Sequence, residues 1–424
     1  MRKWLAELRN KETRLGNGIA LLVGLWIFVL PFGRGGQIPV ALLAAIGLIL
    51  LIQTKGQCAR SPAAKGFLLL CALYLIPIAL SMIDAPALKY PLRVFFIGCG
   101  SALAGIAIIH ASAKREILER MSFLIAMGIA FWLIYAALQV VTGQDLFREV
   151  WWGTDGRISG PFTNPNIMGY YAGPYSAVLL MFALQKKWKP IWLAALYLFT
   201  SSIILLNNSR GAWIMYAIVS LVFIWKAFIE PRKHKLLICI VIILLGATSV
   251  TTLYCIWWPF RDRVDKTLVA LNGTETALNE ALANRIPVWD AAIAAIKDHP
   301  INGSGARNFR VVALEYWPKE KYGYPEKIGN TFYPHQLVLE YALGTGLIGI
   351  LGLILSTGFC LRWWFRAGAE PRTLACGYGL ALLADYFPLN THRSMFASLE
   401  ALSIWILIAL YCATILPRSG KTTD

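Results

Sequence analysis

The sequence predicts an all-α integral membrane protein with about twelve transmembrane helices and one large external loop that carries surface helices. Three observations predict it. Hydrophobic residues make up 57% of the chain and charged residues only 15%, against about 25% charged in a soluble domain. Twelve apolar runs are each long enough to cross a bilayer, whose hydrocarbon core takes about 20 helical residues. The basic residues fall in short clusters between these runs. That pattern makes the net charge of +17 an orientation signal and argues against nucleic acid as a partner.

The runs begin near Gly18, Gln37, Lys65, Tyr90, Met121, Asn166, Pro190, Gly211, Leu236, Pro334, Thr373 and Met395. The first follows a basic N-terminus, as a signal peptide would. Gly33-Arg34-Gly35-Gly36 offers no small-x-small cleavage pattern, so this run is read as a retained helix. An even number of crossings puts both termini on one side. With that side in the cytosol, the inner segments hold 23 of the 40 Lys and Arg and the five short outer loops hold 7. The long outer segment holds the remaining 10, but long loops carry little orienting weight. Both termini are therefore expected in the cytosol, with the chain in an inner membrane and its working end on the outer face. Trp151-Trp152, Trp257-Trp258 and Trp363-Trp364 fit an aromatic belt. The resulting division is residues 1–258 for helices one to nine, 259–333 for the periplasmic loop and 334–424 for helices ten to twelve.

Several function classes are disfavoured. No internal repeat is visible, against an inverted-repeat transporter. Asp385, in the eleventh run, is the main acidic residue in an apolar segment, so no proton-relay chain is expected. Seven of the eight cysteines lie in apolar runs without metal-like spacing and read as small core residues.

The loop Pro259–Tyr333 is too long for a connector, and such loops are usually functional. Its ten Lys/Arg are nearly balanced by nine Asp/Glu, so an anion site must come from particular arginines. Ile286, Trp289, Ile293 and Ile296 recur at spacings of three and four, predicting a helix with one apolar stripe on the membrane surface or capping the bundle. Arg285 shares a face with Trp289. The helix should end at Asp298-His299-Pro300, followed by a turn at Gly303-Ser304-Gly305.

Of five histidines, His110 and His234 are expected on the cytosolic side, and His299, His335 and His392 outside. His335 follows Pro334, which suits the first position of the tenth helix. The positive end of a helix favours neutral imidazole, which suits a general base. A capping or interface histidine is the other role open to it. Arg157, Arg210 and Arg285 are the outer arginines suited to a diphosphate, because a guanidinium offers a planar, permanently charged fork. Snorkelling to lipid headgroups fits Arg34, Arg93 and Arg148 better, and remains open for Arg210. The outer loops hold no Asp-x-Asp or Glu-x-Asp for a divalent metal. Asp262 and Asp265 are the nearest approach. No metal site and no cofactor are expected.

Three stretches resemble the O-antigen ligase and polymerase superfamily of bacterial envelope glycosyltransferases. The first is Gly160-Pro161-Phe162-Thr163-Asn164-Pro165-Asn166 with Ser209-Arg210-Gly211. The second runs from Asn284-Arg285 through Trp289 to His299-Pro300-Ile301-Asn302-Gly303-Ser304-Gly305 and Phe309, similar to the family's Arg…Trp…His-Pro-x-x-Gly-x-Gly…Phe. The third is His335-Gln336…Leu339…Gly346…Gly349, similar to His-Asn…Leu…Glu-x-Gly-x-x-Gly. It departs from the family in Gln336 for Asn and in Gly344 for Glu; Glu340, one turn earlier, is the candidate to replace that acid. The resemblance implies metal-independent, inverting transfer of glycan from undecaprenyl diphosphate to an acceptor at the periplasmic face. Arg157, Arg210 and Arg285 would hold the diphosphate and His335 would deprotonate the acceptor hydroxyl. Asn166, Trp289, Glu340 and Arg393 are supporting candidates. Chain length favours a ligase, with lipid A–core as acceptor and membrane lipids around it. An O-antigen polymerase is the sibling alternative, and a membrane transporter the alternative from another class.

Overall fold

The computed structural model describes residues 11–144, 157–230, 235–323, 332–388 and 394–416. Among the described residues it is all-helical. Nine long helices come first: α1 (Lys11–Val29), α2 (Gln37–Gln53), α3 (Pro62–Leu80), α4 (Lys89–Ser112), α5 (Arg115–Thr142), α6 (Pro165–Gln185), α7 (Pro190–Leu206), α8 (Arg210–Ile224, continued by a π turn to Ile229) and α9 (Lys235–Ile256). Shorter helices follow: α10 (Trp258–Leu268), α11 (Glu275–Ala281), α12 (Ile286–Asp298), and the single turns α13 (Phe309–Val312) and α14 (Lys319–Tyr322). Three long helices close the chain: α15 (Leu337–Arg366), α16 (Ala369–Asp385) and α17 (Ser398–Ile415).

A long helix thus begins within seven residues of each of the twelve expected positions. Eight of the described helices are long and apolar enough to cross a membrane; α2 and α7 are apolar but only 17 residues each. At 1.5 Å per residue, 17 residues reach about 25 Å, short of a full hydrocarbon core. The chain is a multi-pass membrane protein.

The bundle is built around α17, whose residues from Glu400 to Ile415 are all buried. A helix apolar on every side has no face to give to lipid or water, so it goes to the centre. It packs against α3, α4 and α16, while α6 joins α16, α8 and α5. Trp405 on α17 meets Phe67 and Tyr74 edge-on, with ring centroids 5.8 and 5.3 Å apart. Burial of α17 also brings in Glu400. With Asp385 and Glu340 it makes three buried acids in the long helices, where the sequence reading singled out one.

The amphipathic helix forms as α12, but with a different inner face. Pro287, Ala291, Ala292 and Ala295 are buried, whereas Ile293 of the expected stripe is 43% exposed. The alanines pack with Phe309, Val312 and Leu343 in a small core of their own. Small side chains let α12 lie close on α15, which the isoleucine face does not allow.

Candidate functional site

One end of the bundle gathers the turns that the sequence motifs mark. The first is Arg157–Asn164, a non-helical stretch with Ile158 and Phe162 fully buried. Irregular backbone at such depth needs internal hydrogen-bond partners. Gln139 supplies one: its Oε1 accepts from the Ser159 and Gly160 amides at 3.1 and 2.9 Å. Asn164 then caps α6. Arg157 is buried and donates from Nη2 to Asn166 Oδ1 at 2.6 Å and from Nε to Asn207 O at 3.3 Å. Asn207 in turn donates to Ile158 O and Pro165 O at 2.8 and 2.7 Å. Arg157 and Asn166 therefore brace the corner that leads into Arg210.

Arg210 opens α8 and donates to Thr267 Oγ1 at 3.2 Å and to the Ala281 carbonyl. Its charged neighbours are Arg263 and Arg285. Two of the expected arginines thus come together, with Arg263 as a third that balanced loop charge concealed. Asp262 and Asp265 have other partners: Lys266 bridges to Asp262 at 2.8 Å, and Tyr254 donates to Asp265 at 2.8 Å.

Arg285 is the residue from which α12 departs, and one turn on, Trp289 donates its indole N–H to Pro334 O at 2.8 Å. The helix therefore links the arginine group to His335. The expected placement of His335 needs correction. Helix α15 starts at Leu337, and its cap is Gln336, whose side chain accepts from Leu339 N at 2.6 Å. Pro334 is not in the first turn, because Gln336 fills the cap. Gln336 also donates to Pro388 O at 2.9 Å, so the departure from Asn still satisfies the helix end. His335 sits just before the cap with φ 54°, its ring 3.9 Å from that of Tyr333. A left-handed, non-glycine residue stores strain that its surroundings must hold.

Below His335, Glu340 is buried and accepts from Ser394 Oγ and from Met395 N at 3.0 Å. It fastens the segment leading into α17. Arg393, His234, His392 and Trp151-Trp152 lie outside the described residues. The expected turn at Gly303-Ser304-Gly305 is a docking turn. Helix α15 kinks at Gly346 (φ 61°, ψ −159°), and chain 300–304 takes over the broken ladder. Leu347 N donates to Pro300 O at 2.9 Å, Ile348 N to Ile301 O at 3.1 Å, and Ser304 N to Leu343 O at 2.9 Å. A Cβ on Gly346 would lie 2.2 Å from Ile301 O, so the two backbones require glycine there.

A small cleft next to Tyr333 and Pro334, the residues before His335, is lined by Arg307, Arg310, Glu340 and Ser394. Arg307 and Arg310 were passed over in the sequence, because acidic residues balance the loop overall. Their spacing of three was the available signal, since it puts both on one face of a turn.

A family model described as O-antigen ligase matches residues 193–354, which span Arg210, Arg285, Trp289, His335 and Glu340. Over these residues the chain is similar to the O-antigen ligase family. An uncharacterised protein of Haemophilus influenzae (strain ATCC 51907 / DSM 11121 / KW20 / Rd) is 26% identical over 370 residues, 81% of this chain and 84% of its own length. The family model begins inside α7, so the Arg157 corner lies upstream of the O-antigen ligase match. It joins the site through Asn207.

Proposed function

We propose that the chain is an O-antigen ligase, moving O-antigen glycan from undecaprenyl diphosphate to lipid A–core at the periplasmic face of the inner membrane, without metal. The observation that carries this reading is the joining of an arginine group to a histidine by one helix: Arg285 at the start of α12 neighbours Arg210, and Trp289 holds the residue before His335. The O-antigen ligase family match supports the reaction class.

In this reading Arg210 and Arg285 grip the donor diphosphate, with Arg157 and Asn166 holding the corner behind them. His335 takes the proton from an acceptor hydroxyl, whose oxygen attacks the anomeric carbon. The bond from that carbon to diphosphate breaks, the diphosphate leaves with the electron pair, and the centre inverts. Guanidinium groups placed where negative charge grows stabilise the leaving group.

The test combines purified protein, undecaprenyl-diphosphate glycan and rough lipopolysaccharide. Glycan should appear on lipid A–core with no lengthening of the donor. His335→Ala should lower the rate about a hundredfold or more with unchanged thermal stability in detergent. Longer undecaprenyl-linked chains with untouched lipid A–core would identify a polymerase instead. A His335→Ala protein that keeps most of its activity would remove the general-base role.

A further inference from the structure

The mechanism above leaves a second arginine group unused. Arg307 and Arg310 line the cleft beside Tyr333 and Pro334, the two residues that precede His335. Arg93 of α4 adds its charge to both. This group differs from the Arg210 group, whose charged neighbours are Arg263 and Arg285.

The group's own contacts compensate it only in part: Glu340 and Glu400 act on Arg307, and Glu340 on Arg310. Arg307 holds a left-handed φ of 65°, and its Nε is buried with no hydrogen-bond partner among the described residues. Arg310 donates from Nε to Arg307 O at 3.1 Å and lies over the Tyr90 ring at 5.1 Å. The nearby carboxylate, Glu340, already accepts from Ser394 and Met395. Burial, and then the charge of Arg310, pushes the Arg307 guanidinium below its ordinary value; burial does the same to Arg310. A buried N–H without an acceptor, among like charges, is costly unless a ligand completes it.

We propose that Arg307 and Arg310, supported by Arg93, form a second oxyanion subsite that takes a phosphate or carboxylate group of the acceptor glycolipid. This rests on the reading of the chain as a glycan transferase with a lipid acceptor. Direct displacement puts nucleophile and leaving group on opposite sides of the anomeric carbon. One arginine group holds the leaving diphosphate, so the other, beside the base, falls to the acceptor. An oxyanion bound there would present a neighbouring sugar hydroxyl to His335. Guanidinium forks suit either oxyanion bidentately.

The experiment reads binding separately from transfer. Full-length protein in detergent is titrated with fluorescently labelled rough lipopolysaccharide in three forms: intact, dephosphorylated and carboxyl-reduced. The wild type should bind the intact form about tenfold or more tightly than at least one stripped form, which identifies the oxyanion. Arg307→Gln should weaken binding of the intact form about tenfold and abolish that preference. Arg307→Lys should restore part of it, and the donor KM should stay within about twofold of wild type. Thermal unfolding in detergent should stay close to wild type for both variants, since the Arg310 Nε bond goes to the Arg307 backbone carbonyl, which both keep. A wild type that binds all three forms equally overturns the subsite. So does an Arg307→Gln protein that keeps the preference, or one whose donor KM rises while acceptor binding is unchanged. Preferential binding without glycan transfer would uphold the subsite and overturn the ligase reading.

Discussion

The indole Nε1 of Trp289 donates to the carbonyl oxygen of Pro334 at 2.8 Å, so the residue before His335 hangs from the helix that Arg285 begins. Side chains far apart in sequence are thereby held in one frame. His335 needs such a frame, because its left-handed backbone is not a conformation that an unsupported histidine keeps.

Trp289→Phe keeps an aromatic ring and removes the donor. A hydrogen bond of this kind is worth about 1 kcal/mol, so transfer should fall roughly five- to twentyfold with nearly unchanged unfolding temperature. A steady-state assay on the purified variant checks it. If Trp289 only packs, kcat will not move; if it positions His335, kcat falls more than the donor KM rises.

Arg210→Lys keeps the charge and loses the fork. A lysine cannot bond Thr267, the Ala281 carbonyl and a diphosphate together, as Arg210's several N–H groups allow. We expect a loss of about tenfold to a hundredfold in kcat/KM for the donor. Kinetics near those of wild type would move the diphosphate grip to Arg263 and Arg285.

Gly346→Ala should damage folding rather than chemistry. The added methyl would meet Ile301 O at 2.2 Å at a φ of 61°, costing roughly 3 kcal/mol or more. Thermal unfolding in detergent should shift down by several degrees and the yield should drop. A variant as stable as wild type would show that the docking of chain 300–304 on the kink is dispensable.

Orientation is testable with an impermeant thiol reagent. The basic-residue bias places Lys187 in the cytosol and Lys319 outside. In a background whose native cysteines are replaced, a cysteine at position 319 should label in intact spheroplasts and one at 187 only after lysis. Labelling at 187 in intact cells would invert the topology.

Much was determined by the sequence alone. The positions of the long helices follow from runs of apolar residues, because local composition is enough to commit a segment to lipid or to a bundle. The helix over Ile286–Asp298 and the turn after it were also legible, being written in short-range spacing. Tertiary structure decided the rest. The buried face of α12 is its alanine side because close approach to α15 is a property of the pair. Gln336, not Pro334, begins α15, since its side chain reaches both Leu339 N and Pro388 O. Glu340 anchors a segment more than fifty residues away. The Arg93–Arg307–Arg310 group lies on α4 and in the long loop before α15, and the balanced charge of that loop hid it. Charges that cancel over a segment reinforce one another where folding sorts them by side, and that sorting is a matter of long-range packing.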